Sequence, residues 1–145
     1  MGKLLALAIR ERKRAPMKAL DFAYISKSSG LDNDFRGKLG DRQVTVLSKK
    51  AWDAACDELG CALAWHIRRS NILVDDIELY EAVGKTIKIA NVELLITCET
   101  NPCARMEESY KGLFAALAKD WRGGVCCRVI SEGEIKIGDE VTIDE

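Results

Sequence analysis

The chain has 145 residues, a length that suits one domain, and about half of them are hydrophobic, enough for an apolar core without a metal or disulfide. Its 22 basic and 23 acidic side chains leave a formal charge of −1, which excludes a global pull toward nucleic acid or an anionic membrane. Any recognition of an anion must therefore be local.

The first apolar run, Leu4 to Ile9, is too short to span a membrane and is followed at once by Arg10, Arg12, Lys13 and Arg14. It lacks the longer apolar core and cleavage site of a secretory signal, and Met1-Gly2 lacks the Ser or Thr at position 6 that myristoylation needs. The expected compartment is the cytoplasm, with reduced thiols. The basic run reads as a solvated face, with phosphate contacts at a pocket mouth as the alternative. No linker, repeat or low-complexity tract interrupts residues 1–145, so a single domain is expected.

Val44 and Val46 alternate with Thr45 and Leu47, as in a strand. Ser48 is placed to cap a helix that carries Trp52, Ala55, Cys56 and Leu59 on one stripe and stops at Gly60. His66, the one histidine, sits beside Trp65 and reads as structural. Arg68-Arg69-Ser70-Asn71 then precedes an apolar strand from Ile72 to Val74. On the residues alone these are two solvated arginines entering a strand. The alternative is a ligand wall, since the guanidinium fork suits phosphate and the amide both donates and accepts.

Ile87 and Ile89 alternate with lysines, and a turn at Ala90-Asn91 leads to Val92, Leu94 and Ile96. Asn101-Pro102 has the form of a helix start, with Asn as cap and Pro in the first position. Cys103 would then lie in the first turn, near unpaired N–H groups and close in sequence to Arg105, where a thiolate is favoured. The other reading is a buried, inert cysteine. Met106, Tyr110, Leu113, Phe114 and Leu117 follow at helical spacing, up to Gly123-Gly124. They read as a docking face, and burying them contributes about 8–15 kcal/mol before entropy. Val125, Cys127 and Val129 alternate with Cys126, Arg128 and Ile130; Ile135 and Ile137 lead through Gly138-Asp139 to Val141 and Ile143. Short strands between Gly, Asn and Asp turns predict a mainly β fold, a largely antiparallel sheet or barrel with a few short helices.

Of the six cysteines no pair has the Cys-x-x-Cys spacing of a zinc site, and only one histidine, His66, could help, so no structural zinc is expected. Cys98 is expected in the core. Cys126 and Cys127 must point to opposite faces of their strand, so no disulfide joins them. Nucleotide-binding glycine motifs are absent, and one histidine supports no Ser-His-Asp triad.

Several motifs then fall in a recognisable order: Arg14-Ala15-Pro16-Met17, Gly30-Leu31-Asp32-Asn33-Asp34, Arg42 to Ser48, Arg69-Ser70-Asn71-Ile72, Pro102-Cys103-Ala104-Arg105-Met106, Arg122 to Val125, and Ile137 to Val141. Together they resemble a MOSC domain, the module named for the C-terminal part of molybdenum-cofactor sulfurases. The resemblance implies a β-barrel-like fold and a molybdenum cofactor, a Mo-pyranopterin. It places the metal-binding and catalytic thiolate on Cys103, and cofactor contacts on Arg69 and Asn71, with Arg68 a further candidate. Where the family often has Gly-Leu-Glu-Gly-Asp, this chain has Asn33 at the second Gly, and Asn tolerates a left-handed turn. Relatives that reduce N-hydroxylated compounds suggest that reaction, with a small-molecule substrate and a separate electron donor. The alternatives are a sulfur carrier with a Cys103 persulfide, fed by a sulfur-donor protein for cofactor or cluster maturation, and a module that only binds or chaperones the cofactor. No nucleic-acid or membrane partner is expected.

Overall fold

The computed structural model describes residues 2–12, 15–34, 40–102 and 104–144. Among them eleven strands run in chain order: β1 Gly2–Ile9, β2 Lys18–Leu20, β3 Phe22–Ser26, β4 Gly30–Leu31, β5 Val44–Ser48, β6 Ile72–Asp75, β7 Thr86–Ile89, β8 Val92–Glu99, β9 Val125–Ser131, β10 Gly133–Lys136 and β11 Glu140–Asp144. Three helices accompany them, α1 Lys49–Leu59, α2 Ala104–Ser109 and α3 Leu113–Ala118, with a 3-10 turn at Trp65–Arg68.

Hydrogen bonding passes along β11-β7-β8-β9-β5-β6-β1, and β11 pairs back onto β1 through Gly2↔Val141 and Lys3↔Glu140. Seven strands therefore close a barrel, as the mainly β reading predicts. β2 extends the far half of β1, and β10, β3 and β4 form a small separate sheet. β5 and β6 are parallel, while the other barrel pairs are antiparallel.

Period-two alternation fills the barrel with Val44, Val46, Ile87, Ile89, Leu94, Ile96, Val125, Cys127 and Val129. β1 shows no such alternation, because both its faces are covered. Leu4, Leu7 and Ile9 point into the barrel, while Leu5 and Ala6 pack against a second cluster outside it. A strand buried on both sides reads as a continuous apolar run, which is why Leu4 to Ile9 does not announce itself as a strand.

The second cluster lies under the helices. Leu47 and Leu73, outward on β5 and β6, pack beneath Trp52, Cys56, Met106, Leu113 and Leu117. α1 starts and stops where the sequence indicates: Ser48 Oγ accepts from Ala51 N at 3.3 Å, and Gly60 caps in the left-handed region at φ 67°. The run after Cys103, expected as one helix, is two. The chain breaks at Gly112, φ 91°, and Glu107 reaches over the break, its carboxylate accepting from Gly112 N at 2.9 Å and Phe114 N at 3.3 Å. The break rotates the second half, so Met106, Leu113 and Leu117 are buried while Phe114, expected on the docking face, is 43 % exposed. Asn33 adopts φ 70°, so the turn expected there is kept. No helix of the described residues is long and apolar enough to cross a membrane.

Candidate functional site

Alternation that sends valines into the barrel sends Thr45 and Cys126 out of it. They face one another across β5 and β9, and Asn71, at the start of β6, joins them. Its side-chain oxygen accepts from Thr45 N at 3.1 Å and Thr45 Oγ1 at 3.2 Å, and its Nδ2 donates to Ala8 O at 3.1 Å. Asn71 thus ties β5, β6 and the end of β1 together. These three side chains make one wall of a cavity of about 420 Å³.

The other walls come from segments that the fold brings together around it. Arg10 enters from the end of β1, with Met17, Asp34 and Arg42 from the loops that follow. Thr100 precedes α2, and Arg105 and Met106 lie within it. Arg68 and Arg69 follow from the 3-10 turn, where Arg69 takes a left-handed backbone at φ 63° and donates its N–H to His66 O. That conformation separates the two neighbouring arginines. Arg68, only 7 % exposed, donates through Nε to Gly123 O at 3.0 Å and through Nη2 to Thr100 O at 2.7 Å and Asn101 O at 3.4 Å. Arg69 donates to Ala15 O.

Among the described residues, five guanidinium groups and one carboxylate, Asp34, therefore line the cavity, and Asp34 itself accepts from Arg10 N at 3.0 Å. In a partly enclosed space such an excess of positive charge selects anions, and the planar forks suit phosphate oxygens. Cys126 is buried against Thr100, with Sγ 3.1 Å from Oγ1. Burial pushes its thiol above the usual range, while the Thr100 hydroxyl and the Arg42 charge pull the other way. Its neighbour Cys127 faces the barrel interior, where burial pushes the thiol far higher.

The cavity unites Arg68, Arg69 and Asn71, the three binding residues the sequence singles out. Cys103 lies outside the described residues; Thr100, Arg105 and Met106 on either side of it in sequence line the cavity. His66 packs its ring against Trp65, centroids 4.9 Å apart, and does not line the cavity. Sequence reasoning gave no role to Thr45, Asp34, Arg42 or Cys126. The signal for Thr45 and Cys126 was the alternation itself: Thr45 lies outward between inward Val44 and Val46, and Cys126 outward between inward Val125 and Cys127. Among the described residues no group of three or more His, Cys, Asp and Glu side chains could hold a metal ion.

No curated protein matches the chain. Among solved structures, the YuaD protein from Bacillus subtilis superposes with a TM-score of 0.81 at 18 % identity, over 99 % of this chain and 96 % of that one. YiiM from Geobacillus stearothermophilus gives 0.80 at 12 % identity, over 100 % and 76 %, and YiiM from Escherichia coli 0.72 at 12 %, over 99 % and 70 %. At these identities the likeness establishes a shared fold. The sequence itself goes further, for residues 26–142 match the MOSC domain, and this chain belongs to the MOSC domain family.

Proposed function

We propose that this protein binds the molybdenum cofactor in the arginine-lined cavity, with Cys103 as thiolate ligand, and reduces N-hydroxylated compounds with electrons from a separate protein. The observation that supports this reading is the cavity's charge: among the described residues, five arginines against one carboxylate in about 420 Å³. That volume is within the usual range of cofactor sites, roughly 300–1,000 Å³, and the donor set fits a phosphate-bearing, heteroatom-rich group.

In this reading Arg69 and Asn71 hold the cofactor, joined by Arg10, Arg42 and Arg105 from the same walls. Arg68 acts one step back: its bonds to the backbone carbonyls of Thr100 and Asn101 hold the residues that lead to Cys103, and a further one ties them to Gly123. When bound, the cofactor supplies a metal centre able to accept oxygen from a substrate. Removing a hydroxyl from nitrogen consumes two electrons and two protons and releases water, so an electron donor is required. The guanidinium groups hold the anionic end of the cofactor, and Asn71 keeps the wall beneath it rigid.

The test uses protein purified from a host that makes the cofactor, assayed for molybdenum and pterin beside Cys103→Ser. The variant is expected to lose molybdenum and to melt with the cofactor-free parent; equal molybdenum in both refutes the ligand assignment. Loaded protein is then given reduced viologen and benzamidoxime or a hydroxylaminopurine. Turnover that needs both molybdenum and Cys103 supports the reductase. No turnover, with a gain of one sulfur on Cys103 after exposure to a cysteine desulfurase, supports a sulfur carrier instead, and neither signal leaves cofactor binding alone.

A further inference from the structure

A one-residue irregularity in the barrel wall sets two thiols face to face. Along β8 and β9, Ile96 pairs with Cys127, but the next pairing is Cys98 with Cys126, so Thr97 is the extra residue of a bulge. Without the bulge Thr97 would face Cys126 and Cys98 would face Val125. With it, both cysteines stand directly opposite on the outer surface of the barrel, and Thr97 is tied down separately, its hydroxyl donating to Cys126 O at 3.1 Å.

We propose that Cys98 and Cys126 form an oxidisable dithiol, a modification site that hydroperoxides convert to a cross-strand disulfide at the edge of the cavity. The spacing allows it. Directly opposed residues of an antiparallel pair have Cα atoms about 4.5 or 5.5 Å apart, and both values lie within the disulfide range of about 4.4–6.8 Å. The thiols already interact, since Cys98 contributes to the raised pKa of Cys126 through both charge and a hydrogen bond. They also differ in access: Cys126 is 1 % exposed, whereas Cys98 is only half-buried.

That difference sets the order of events. Cys98 as thiolate attacks the peroxide, the O–O bond breaks, and Cys98 becomes a sulfenic acid while an alkoxide or hydroxide leaves and takes up a proton. The Cys126 sulfur then attacks the Cys98 sulfur, an S–S bond forms, and the hydroxyl leaves as water with the Cys126 proton. The two thiols lose two electrons in total and the peroxide gains them. A thiol reductant reverses the change. In the disulfide, Cys126 has no proton to donate to Thr100 Oγ1, so oxidation alters the cavity wall next to the backbone that Arg68 clamps. None of this requires a bound cofactor.

The test treats the full chain, without cofactor, with stoichiometric hydrogen peroxide, blocks remaining thiols with a maleimide in denaturant, and maps peptides by mass spectrometry. Cleavage after Glu99 separates Cys98 from Cys103. The expected product joins Cys98 to Cys126, is two hydrogens lighter, leaves Cys127 labelled, returns to thiols with dithiothreitol and persists in Cys103→Ser. In Cys126→Ser, Cys98 should instead accumulate a dimedone-reactive sulfenic acid. Wild-type protein in which Cys98 and Cys126 both still take maleimide, or in which Cys98 is joined to Cys103, overturns the proposal whether or not any variant folds.

Discussion

Arg68 is the residue for which structure and family resemblance point to different roles, and one substitution separates them. The resemblance makes it a candidate cofactor contact. In the structure its guanidinium donates to the carbonyls of Gly123, Thr100 and Asn101. The first two bonds, at 3.0 and 2.7 Å, are charge-assisted; the third, at 3.4 Å, adds little. At about 1.5–3 kcal/mol for each strong bond, Arg68→Ala puts as much as about 6 kcal/mol at risk. Water entering from the cavity replaces part of the lost donors, so the expected destabilisation is about 3 kcal/mol. For a chain of this size that lowers the melting temperature by roughly 6–12 °C. Lysine keeps the charge but lacks the fork that reaches Gly123 and Thr100 together, so Arg68→Lys should recover less than half of the loss. Thermal and urea denaturation of protein without cofactor measure both variants. If Arg68→Ala melts within about 1 °C of the parent, where a lost clamp predicts far more, yet loses molybdenum, the clamp is refuted and Arg68 is a ligand contact.

The neighbouring glycine reports on the same clamp from the other side. A Cβ at Gly123 would lie 2.4 Å from Thr100 O and 3.0 Å from Arg68 Nη2, so Gly123→Ala should cost about 1–3 kcal/mol in urea denaturation and reduce molybdenum occupancy. Arg69→Ala should lower occupancy by roughly ten- to a hundredfold, the loss of one charge-assisted contact, while unfolding stays cooperative. Unchanged occupancy would assign Arg69 a structural role, through bonds such as the one to Ala15 O. Cys127 makes stability fall at alkaline pH. Burial raises its pKa in the folded state, so above the ordinary thiol value of about 8.5 the unfolded chain loses this proton and the folded chain keeps it. The stabilisation is complete below that value and declines as pH rises toward the folded one. Urea midpoints from about pH 7 to 10 should show the decline, and Cys127→Ala should lessen it, the raised thiol of Cys126 accounting for part of the remainder; an equal slope in the variant assigns the loss to other groups.

Much of the barrel was legible because half-buried strands carry their own period. Val44 to Ser48, Ile87 to Ile96 and Val125 to Val129 alternate, and they supply four strands of the ring, β5, β7, β8 and β9. The closing strand β1 was not, since a segment covered on both faces leaves no period to read. The break between α2 and α3 was missed because the apolar spacing from Met106 to Leu117 is compatible with one continuous helix. Only the left-handed Gly112 and the reach of Glu107 show otherwise. In the site, Arg68, Arg69 and Asn71 stood out as a cluster of donors in sequence. Arg10, Asp34, Arg42 and Thr100 meet there only through tertiary folding, and no local pattern relates them. The bulge at Thr97 was equally silent: Cys98 looked like a core residue, and its pairing with Cys126 depends on one extra residue in the wall.

The pairing of β1 with β11 bears on how the chain reaches this state. During synthesis β1 emerges first, and β6 can take one of its edges once about half the chain is out. On the other edge β2 covers Leu7 to Ile9, while Gly2 and Lys3 wait for Val141 and Glu140. The ring cannot close on the ribosome until the last strand has left the exit tunnel. Until then a short stretch of open strand, with the apolar Leu4 and Leu5 beside it, is available to other chains. Such non-local closure slows folding, so the interval between synthesis and ring closure is when this protein is most exposed to aggregation and most in need of a chaperone.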